Sequence, residues 1–366
     1  MSDVTQSIEA LLRPEVRALK AYHVPDARGF IKLDAMENPY AWPPNLIDQW
    51  LEHLREAEPN RYPDPACQRL KQALRVAHEV PEGAEILLGN GSDELIQLLL
   101  MALKPGSTVM APEPTFVMYR QVSLSLGLNF VGVPLRSDDF SLDTAAFCAA
   151  MAEHQPALVF MAYPNNPTAN LFARVALEQI LSAAPGLVVV DEAYAAYANH
   201  SFMAALPRYP QLLVMRTLSK LGMAGLRLGF MAGDPRWIEE FDKIRLPYNI
   251  NVLTQLSAEF VLDRPTEFQR QVRQILADRA RLIEALQRFE HLRVFESHAN
   301  FVLLKLLRDD ANEVFQQLKA QGVLIKNLHP NGGLLTNCLR ITVGKPEENQ
   351  RFLEAFAHAI GQTAPA

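Results

Sequence analysis

The chain has 366 residues, with 35 Lys and Arg against 41 Asp and Glu for a net charge of −6; 49% of its residues are hydrophobic and 21% charged. That length corresponds to roughly two domains, and the composition suits a chain with a substantial core, far from the signature of disorder. The acidic balance and the lack of any long Lys/Arg run exclude a phosphate-tracking surface, so nucleic acid is not an expected partner.

Cys67, Cys148 and Cys338 make no CxxC pair, which rules out a disulfide scaffold and fits a reducing compartment. The opening stretch MSDVTQSIEALLRPE is acidic and polar where a secretory signal is basic and then apolar. No run approaches the roughly 18 apolar residues of a membrane span. A cytoplasmic protein without a membrane partner is expected.

Residues 1–44 carry four prolines before Pro44 and no regular period, and read as an N-terminal arm that packs on something else. From 45 to 250, short apolar runs alternate with helix-length amphipathic stretches, the pattern of a mostly parallel sheet covered on both faces, hence a large α/β domain. Strands are predicted over Glu85–Gly89, Ser107–Ala111, Leu128–Val133, Ala157–Ala162, Leu187–Val190, Leu212–Arg216 and Leu226–Ala232, with helices over Ser92–Leu103 and Val175–Ala184 between them. Beyond about Asp234 the pattern changes to a long helix, Thr266–Arg288, then LRVFE, ANFVLLKL, VLIKN and CLRITV runs and a last helix. Residues 251–366 are therefore read as a smaller α+β domain.

No GxxxxGK[ST] occurs, and GNGSDE at Gly89–Glu94 lacks the third glycine of a dinucleotide fingerprint. The nine histidines show no HExxH or other close-paired metal spacing and are read as structural, so no metal is expected; there is also no GxSxG elbow.

Ligands of an open parallel sheet bind beyond the carboxyl ends of its strands. Three predicted strands deliver polar residues there: Asn165 and Asn166 after ALVFMA, Asp191 and Tyr194 after LVVV, and Thr217, Ser219 and Lys220 after LLVMR. Singly, each has an ordinary structural reading as a turn former, a helix cap or a solvated lysine. Together at one edge they form the set that pyridoxal phosphate requires: a lysine for its aldehyde, a carboxylate for its ring nitrogen and donors for its phenolic oxygen. Gly91, Ser92 and Asp93 lie between a strand and an apolar helix, where backbone N–H groups and the helix dipole favour an anion; a plain N-cap by Ser92 would use the same geometry. Arg227, seven residues after Lys220, can add a two-pronged contact to a phosphate.

With these residues in view the sequence resembles the fold-type I pyridoxal-phosphate aminotransferases, and within them the histidinol-phosphate branch. The resemblance runs through KLDAMENPY (Lys32–Tyr40), RYPDP (Arg61–Pro65), GNGSDELI (Gly89–Ile96), PEPTFVMY (Pro112–Tyr119), YPNNPTAN (Tyr163–Asn170), VVVDEAYAAY (Val188–Tyr197), RTLSKLGMAGLRLGF (Arg216–Phe230) and NCLRITVG (Asn337–Gly344). It implies that Lys220 is the Schiff-base lysine, that Asp191 pairs with the ring nitrogen, and that Asn166 and Tyr194 bind the phenolic oxygen. Gly91, Ser92, Asp93, Thr217, Ser219 and Arg227 correspond to the phosphate cup, and Phe116 to the ring stacked on the cofactor, usually a tyrosine. Tyr62 corresponds to a residue that crosses a homodimer interface to the partner's cofactor phosphate. Tyr22, Asn38, Lys326 and Arg340 are implied at the substrate.

The chain departs from the family where NPTG is NPTA (Asn166–Ala169) and where an arginine is often found but Lys326 stands here. The implied reaction interconverts L-histidinol phosphate plus 2-oxoglutarate and imidazole-acetol phosphate plus L-glutamate, a step of L-histidine biosynthesis. The alternatives are a decarboxylase of a phosphorylated amino acid such as threonine phosphate, an aromatic or general amino-acid aminotransferase, and a cofactor-binding regulatory domain.

Overall fold

The computed structural model describes residues 2–21 and 25–364. In chain order its strands are β1 (Ile31–Lys32), β2 (Glu85–Gly89), β3 (Thr108–Glu113), β4 (Asn129–Pro134), β5 (Leu158–Ala162), β6 (Leu187–Asp191), β7 (Leu212–Thr217), β8 (Gly229–Gly233), β9 (Leu292–Val294), β10 (Phe301–Leu306), β11 (Val323–Leu324), β12 (Lys326–Asn327) and β13 (Cys338–Thr342). Strands β2 to β8 form one seven-stranded sheet in the order β2-β8-β7-β6-β5-β3-β4. All run parallel except β8, which lies antiparallel between β2 and β7.

This sheet is buried on both faces because its strands are apolar on both. Every residue of β5, β6 and β8 is buried. Along β6 and β7, Val188, Val190, Leu212 and Val214 point into one core and Leu187, Val189, Leu213 and Met215 into another, the period-two alternation of a pleated strand. The first core is closed by the helices Gln68–Ala77, Arg174–Ala183 and Val252–Leu262, the second by Ser92–Met101, Val117–Ser125 and Pro235–Asp242.

The predicted strands match these within one to three residues at each end. The largest shift is at Leu226–Ala232: Ala224–Leu226 is a 3-10 turn and Arg227 is left-handed, with φ +50°, so the strand begins only at Gly229. That turn faces Arg227 toward the sheet edge instead of extending it along the strand.

The C-terminal part carries a four-stranded antiparallel sheet, β12-β13-β10-β9. The helix Val252–Leu262 packs on the helices Pro44–His53 and Gln68–Ala77. The 22-residue helix Pro265–Leu286 then runs between the two parts, with Phe268 in the core of the large sheet and Ile275, Leu282 and Leu286 in that of the small one.

The N-terminal stretch, expected to be aperiodic, contains helices at Ser2–Leu11 and Pro14–Ala18. Val4, Ile8 and Leu11 do recur at helical spacing, but all three are exposed. Farther on, β1 pairs in parallel with β11, and the Thr342 N–H donates to the Leu33 carbonyl. Residues 31–36 are thus tied to the C-terminal part by a separate two-stranded sheet and by the bond to β13, which brings Ala35, Met36 and Glu37 to a cavity at the edge of the large sheet.

Candidate active site

The parallel register of β5, β6 and β7 sets Ala162 beside Asp191 and Asp191 beside Met215, so the segments that follow emerge side by side at one sheet edge. They surround a cavity of about 410 Å³. Ten of the sequence-predicted residues line it: Ser92, Asp93, Phe116, Asn166, Asp191 and Tyr194, together with Thr217, Ser219, Lys220 and Arg227.

Lys220 leaves β7 on a one-turn 3-10 helix, Ser219–Leu221, stopped by Gly222 in the left-handed region. Its Nζ lies 5.7 Å from the centroid of the Tyr194 ring and 3.4 Å from the Ala35 carbonyl oxygen. Loss of water around the amine, reinforced by the positive charge of Arg340, lowers its pKa to about 8. An amine so tuned is a usable nucleophile and base near neutral pH.

Asp191, the last residue of β6, is buried, and its burial raises its carboxyl to about 6. Two donors oppose that rise: the Tyr119 hydroxyl at 2.6 Å from Oδ2 and the Ala193 N–H at 3.1 Å from Oδ1. A carboxylate enclosed in this way calls for a cationic partner.

Another part of the cavity is built for an anion. The helix Ser92–Met101 starts here, preceded by Gly91 at φ +86°. Thr217 Oγ1 donates to Ser219 Oγ at 2.9 Å, Arg227 Nη1 donates to the same Ser219 oxygen at 3.3 Å, and Arg227 Nη2 lies 3.6 Å from Asp93 Oδ2. Glycines let the backbone close up: a Cβ on Gly91 would sit 2.4 Å from Arg227 Nη2, and one on Gly229 2.6 Å from the Ser92 nitrogen. Hydroxyls, a guanidinium and a helix N-terminus, with a buried carboxylate and a lysine whose amine is lowered to about 8 lining the same cavity, fit pyridoxal phosphate.

The remaining predicted residues lie outside this lining. Arg340, on β13, is buried; its Nη1 donates to Asn166 Oδ1 at 2.5 Å, its Nη2 to the Asp34 carbonyl at 2.9 Å, and its guanidinium lies 5.4 Å from the Phe301 ring centroid. Lys326 faces Arg340 across β12 and β13. Burial first, then the Arg340 charge, lowers its amine, while burial raises the Asp34 carboxyl close by. Asn38 is outside the lining but beside it: its Nδ2 donates to Gln271 Oε1 at 2.8 Å and to the Leu221 carbonyl at 3.4 Å, and its Oδ1 accepts from the Tyr40 N–H. Tyr62 is exposed and stacks on Tyr248 at 4.4 Å between ring centroids. Tyr22 lies outside the described residues.

Ala169, where the family pattern has glycine, is buried and left-handed at φ +63°, held by its N–H to the Asn165 carbonyl and by its own carbonyl, which accepts from His298 N–H. That backbone explains why glycine suits the position.

Two features escaped the sequence reading. Tyr119 belongs to a quoted segment but gave no sign that its hydroxyl would reach Asp191; its only mark is a spacing of one helical turn from Phe116. The wall formed by Ala35, Met36 and Glu37 depends on the pairing of β1 with β11, which no local pattern announces. A larger hollow of about 570 Å³ lies on the far side of Thr217 and Ala193, but its buried acid Glu192 is already paired to Arg216 at 2.7 Å, and Lys220 does not line it. Among the described residues no His, Cys, Asp and Glu group could hold a metal, and no helix is long and apolar enough to cross a membrane.

The sequence profile of the family described as aminotransferase class I and II matches residues 28–356. A histidinol-phosphate aminotransferase of Nitrosococcus oceani is 55% identical over 346 residues, 94% of this chain and 96% of that protein. One of Ralstonia nicotianae is 53% identical over 359 residues, 96% of this chain and 95% of its own. Among solved structures, the histidinol-phosphate aminotransferase of Sinorhizobium meliloti in complex with pyridoxal-5'-phosphate superposes with a TM-score of 0.85 at 23% identity, covering 96% of this chain and 98% of that one.

Proposed function

The chain belongs to the class I and II aminotransferase family, and we propose that its reaction is the transfer of an amino group between L-histidinol phosphate and 2-oxoglutarate, giving imidazole-acetol phosphate and L-glutamate. The observation that carries this reading is the convergence on one cavity of the Lys220 amine, the buried Asp191 carboxylate and the anion cup of Ser92, Thr217, Ser219 and Arg227, in a chain more than half identical to enzymes of that name.

Pyridoxal phosphate, when bound, supplies an aldehyde for exchange with the substrate amine and a ring that takes up the electron pair left on the substrate carbon. Lys220 holds the cofactor until substrate arrives and then, with its amine released, takes the proton from the amine-bearing carbon. Asp191 holds a proton on the ring nitrogen by charge, and its burial makes that pairing strong. Asn166 and Tyr194 orient the ring through its phenolic oxygen, Phe116 covers its face, and the cup fixes its phosphate.

Arg340 meets the anionic end of each substrate, the phosphate in one half-reaction and a carboxylate in the other, with Lys326 adding a point charge. Its fork already holds Asn166, so substrate anion and cofactor ring are positioned by one connected set of hydrogen bonds. We assign the working form to a homodimer, in which exposed Tyr62 reaches the partner's cup, and to the cytoplasm, as suits a biosynthetic enzyme with three free cysteines.

The test is a panel of amino donors scored by loss of the bound cofactor's visible absorbance, with CO2 measured alongside. Histidinol phosphate should convert the cofactor fastest, without CO2. Equal response to histidinol, or CO2 release from a phosphorylated amino acid, would overturn the assignment.

A further inference from the structure

We propose that Tyr119 is the positioning residue for Asp191: its buried hydroxyl holds the carboxylate aimed into the cavity and ionised, so that the cofactor's ring nitrogen keeps its proton. This rests on the reading above that Asp191 meets that nitrogen.

The geometry leaves the hydroxyl little choice. Tyr119 is fully buried in the helix Val117–Ser125, and its ring lies parallel to that of Phe160 at 4.3 Å between centroids and 2° between planes. The Phe116 ring meets it edge-on at 5.6 Å and 85°, and the Ser123 hydroxyl donates to its carbonyl at 2.7 Å. With its ring held by Phe160 and Phe116 and its backbone in the helix, the phenol donates to Asp191 Oδ2 at 2.6 Å while the Ala193 N–H serves Oδ1. Of the two donors, only the phenol belongs to a side chain.

The electrostatics run the same way. Burial pushes the phenol well above its ordinary range, so it remains a donor at every working pH. The acids facing Asp191 are Asp93, from the helix Ser92–Met101, and Glu192, the next residue in the chain; both disfavour its ionisation, although Glu192 is tied to Arg216. Tyr194 and Lys220 border the same cavity. With burial and two acids raising the carboxyl and two hydrogen bonds lowering it, loss of the phenol moves its titration upward. A neutral Asp191 no longer favours a protonated ring nitrogen. Phe116 leans on the same ring, so Tyr119 touches both the residue that would stack on the cofactor and the carboxylate that would meet its ring nitrogen.

Tyr119→Phe keeps both ring contacts and removes only the hydroxyl. In apo-protein with 13C-carboxyl-labelled aspartate, assigned by comparison with Asp191→Asn, the Asp191 titration should rise by about one pH unit, a tenfold change in ionisation. The cofactor should dissociate several-fold faster, most of all at the acid end, and the acid limb of the kcat profile should shift upward with it. If the Phe variant fails to fold, 3-fluorotyrosine placed at all nine tyrosines strengthens the donation and should lower the same titration. An Asp191 titration unmoved in either protein would overturn the proposal. Normal cofactor retention by Asp191→Asn would instead overturn the reading on which it rests, while leaving the Tyr119 titration result to stand by itself.

Discussion

Replacing Arg340 by lysine and by methionine separates what its shape does from what its charge does. The guanidinium holds Asn166 Oδ1 at 2.5 Å and the Asp34 carbonyl at 2.9 Å from two different nitrogens. Its five donors in a fixed fork allow it to keep those partners while meeting an anion, whereas a lysine has three donors on one nitrogen. Arg340→Lys should therefore lose at least one charge-assisted hydrogen bond to each substrate, about 1.5–3 kcal/mol, or about 10- to 150-fold in kcat/KM.

Arg340→Met removes the charge as well. A substrate anion then enters an enclosed site without its partner, at about 3–5 kcal/mol, roughly two to four powers of ten. The second effect concerns Lys220, whose amine is lowered to about 8 first by burial and then by Arg340. Only the unprotonated amine attacks an aldehyde, so cofactor capture by the apo-protein should rise with pH through about 8 and level off above it. In Arg340→Met that profile should move to higher pH; in Arg340→Lys, which keeps the charge, it should stay.

The assay is the pair of half-reactions measured separately by stopped-flow absorbance, with histidinol phosphate and with glutamate, alongside a circular-dichroism melt to confirm folding. Both half-reactions should slow together in Arg340→Lys. If neither substrate is affected, or if histidinol reacts as fast as histidinol phosphate, Arg340 does not bind the substrate's anion and a general amino-acid aminotransferase becomes the better description.

Lys220→Ala should abolish turnover with the fold intact; near-wild-type rates would remove it from the mechanism. Gly91→Ala should weaken cofactor affinity, because the new methyl meets Arg227 Nη2 at 2.4 Å and the backbone stays at φ +86° and ψ +167°, a region essentially confined to glycine that costs another residue about 1–3 kcal/mol. Dissociation constants measured by cofactor fluorescence check it. Mixing inactive Tyr62→Ala with inactive Lys220→Ala should restore part of the activity if Tyr62 serves the partner's site; a fully active monomer by light scattering would refute the shared site.

How much of this was legible before the structure depends on where each signal is stored. The runs of β5, β6 and β7 are apolar on both faces, and the polar residues that end them follow within a few positions, so local pattern was enough to place Asn166, Asp191, Thr217, Ser219 and Lys220 around one cavity. Arg227 was readable as a cation near the anion cup, but not as left-handed: TLSKLGMAGLRLGF has the alternation of a strand as far back as Leu226, and no local pattern marks the turn that displaces the strand's start. The missed helices of the N-terminal stretch bury no apolar face among the described contacts, so their pattern carries no core signal.

What stayed illegible is contact between segments far apart in the chain. Tyr119 and Asp191 are 72 residues apart, and Arg340 and Asn166 are 174 apart. Nothing in a phenol on an amphipathic helix says that it will face a carboxylate, since the same residue on the same face would serve as ordinary core; its stack on Phe160 is such a contact. The two long-range bonds nonetheless obey one physical rule. A polar group buried within or at the end of an apolar strand must find a partner, and in a compact α/β fold the partner comes from whatever segment packs across it. Asp191 takes Tyr119 from the helix over the sheet, and Arg340 takes Asn166 from the loop after β5. In both cases the bond ties down a residue that lines the cavity: Asp191 in the first, Asn166 in the second.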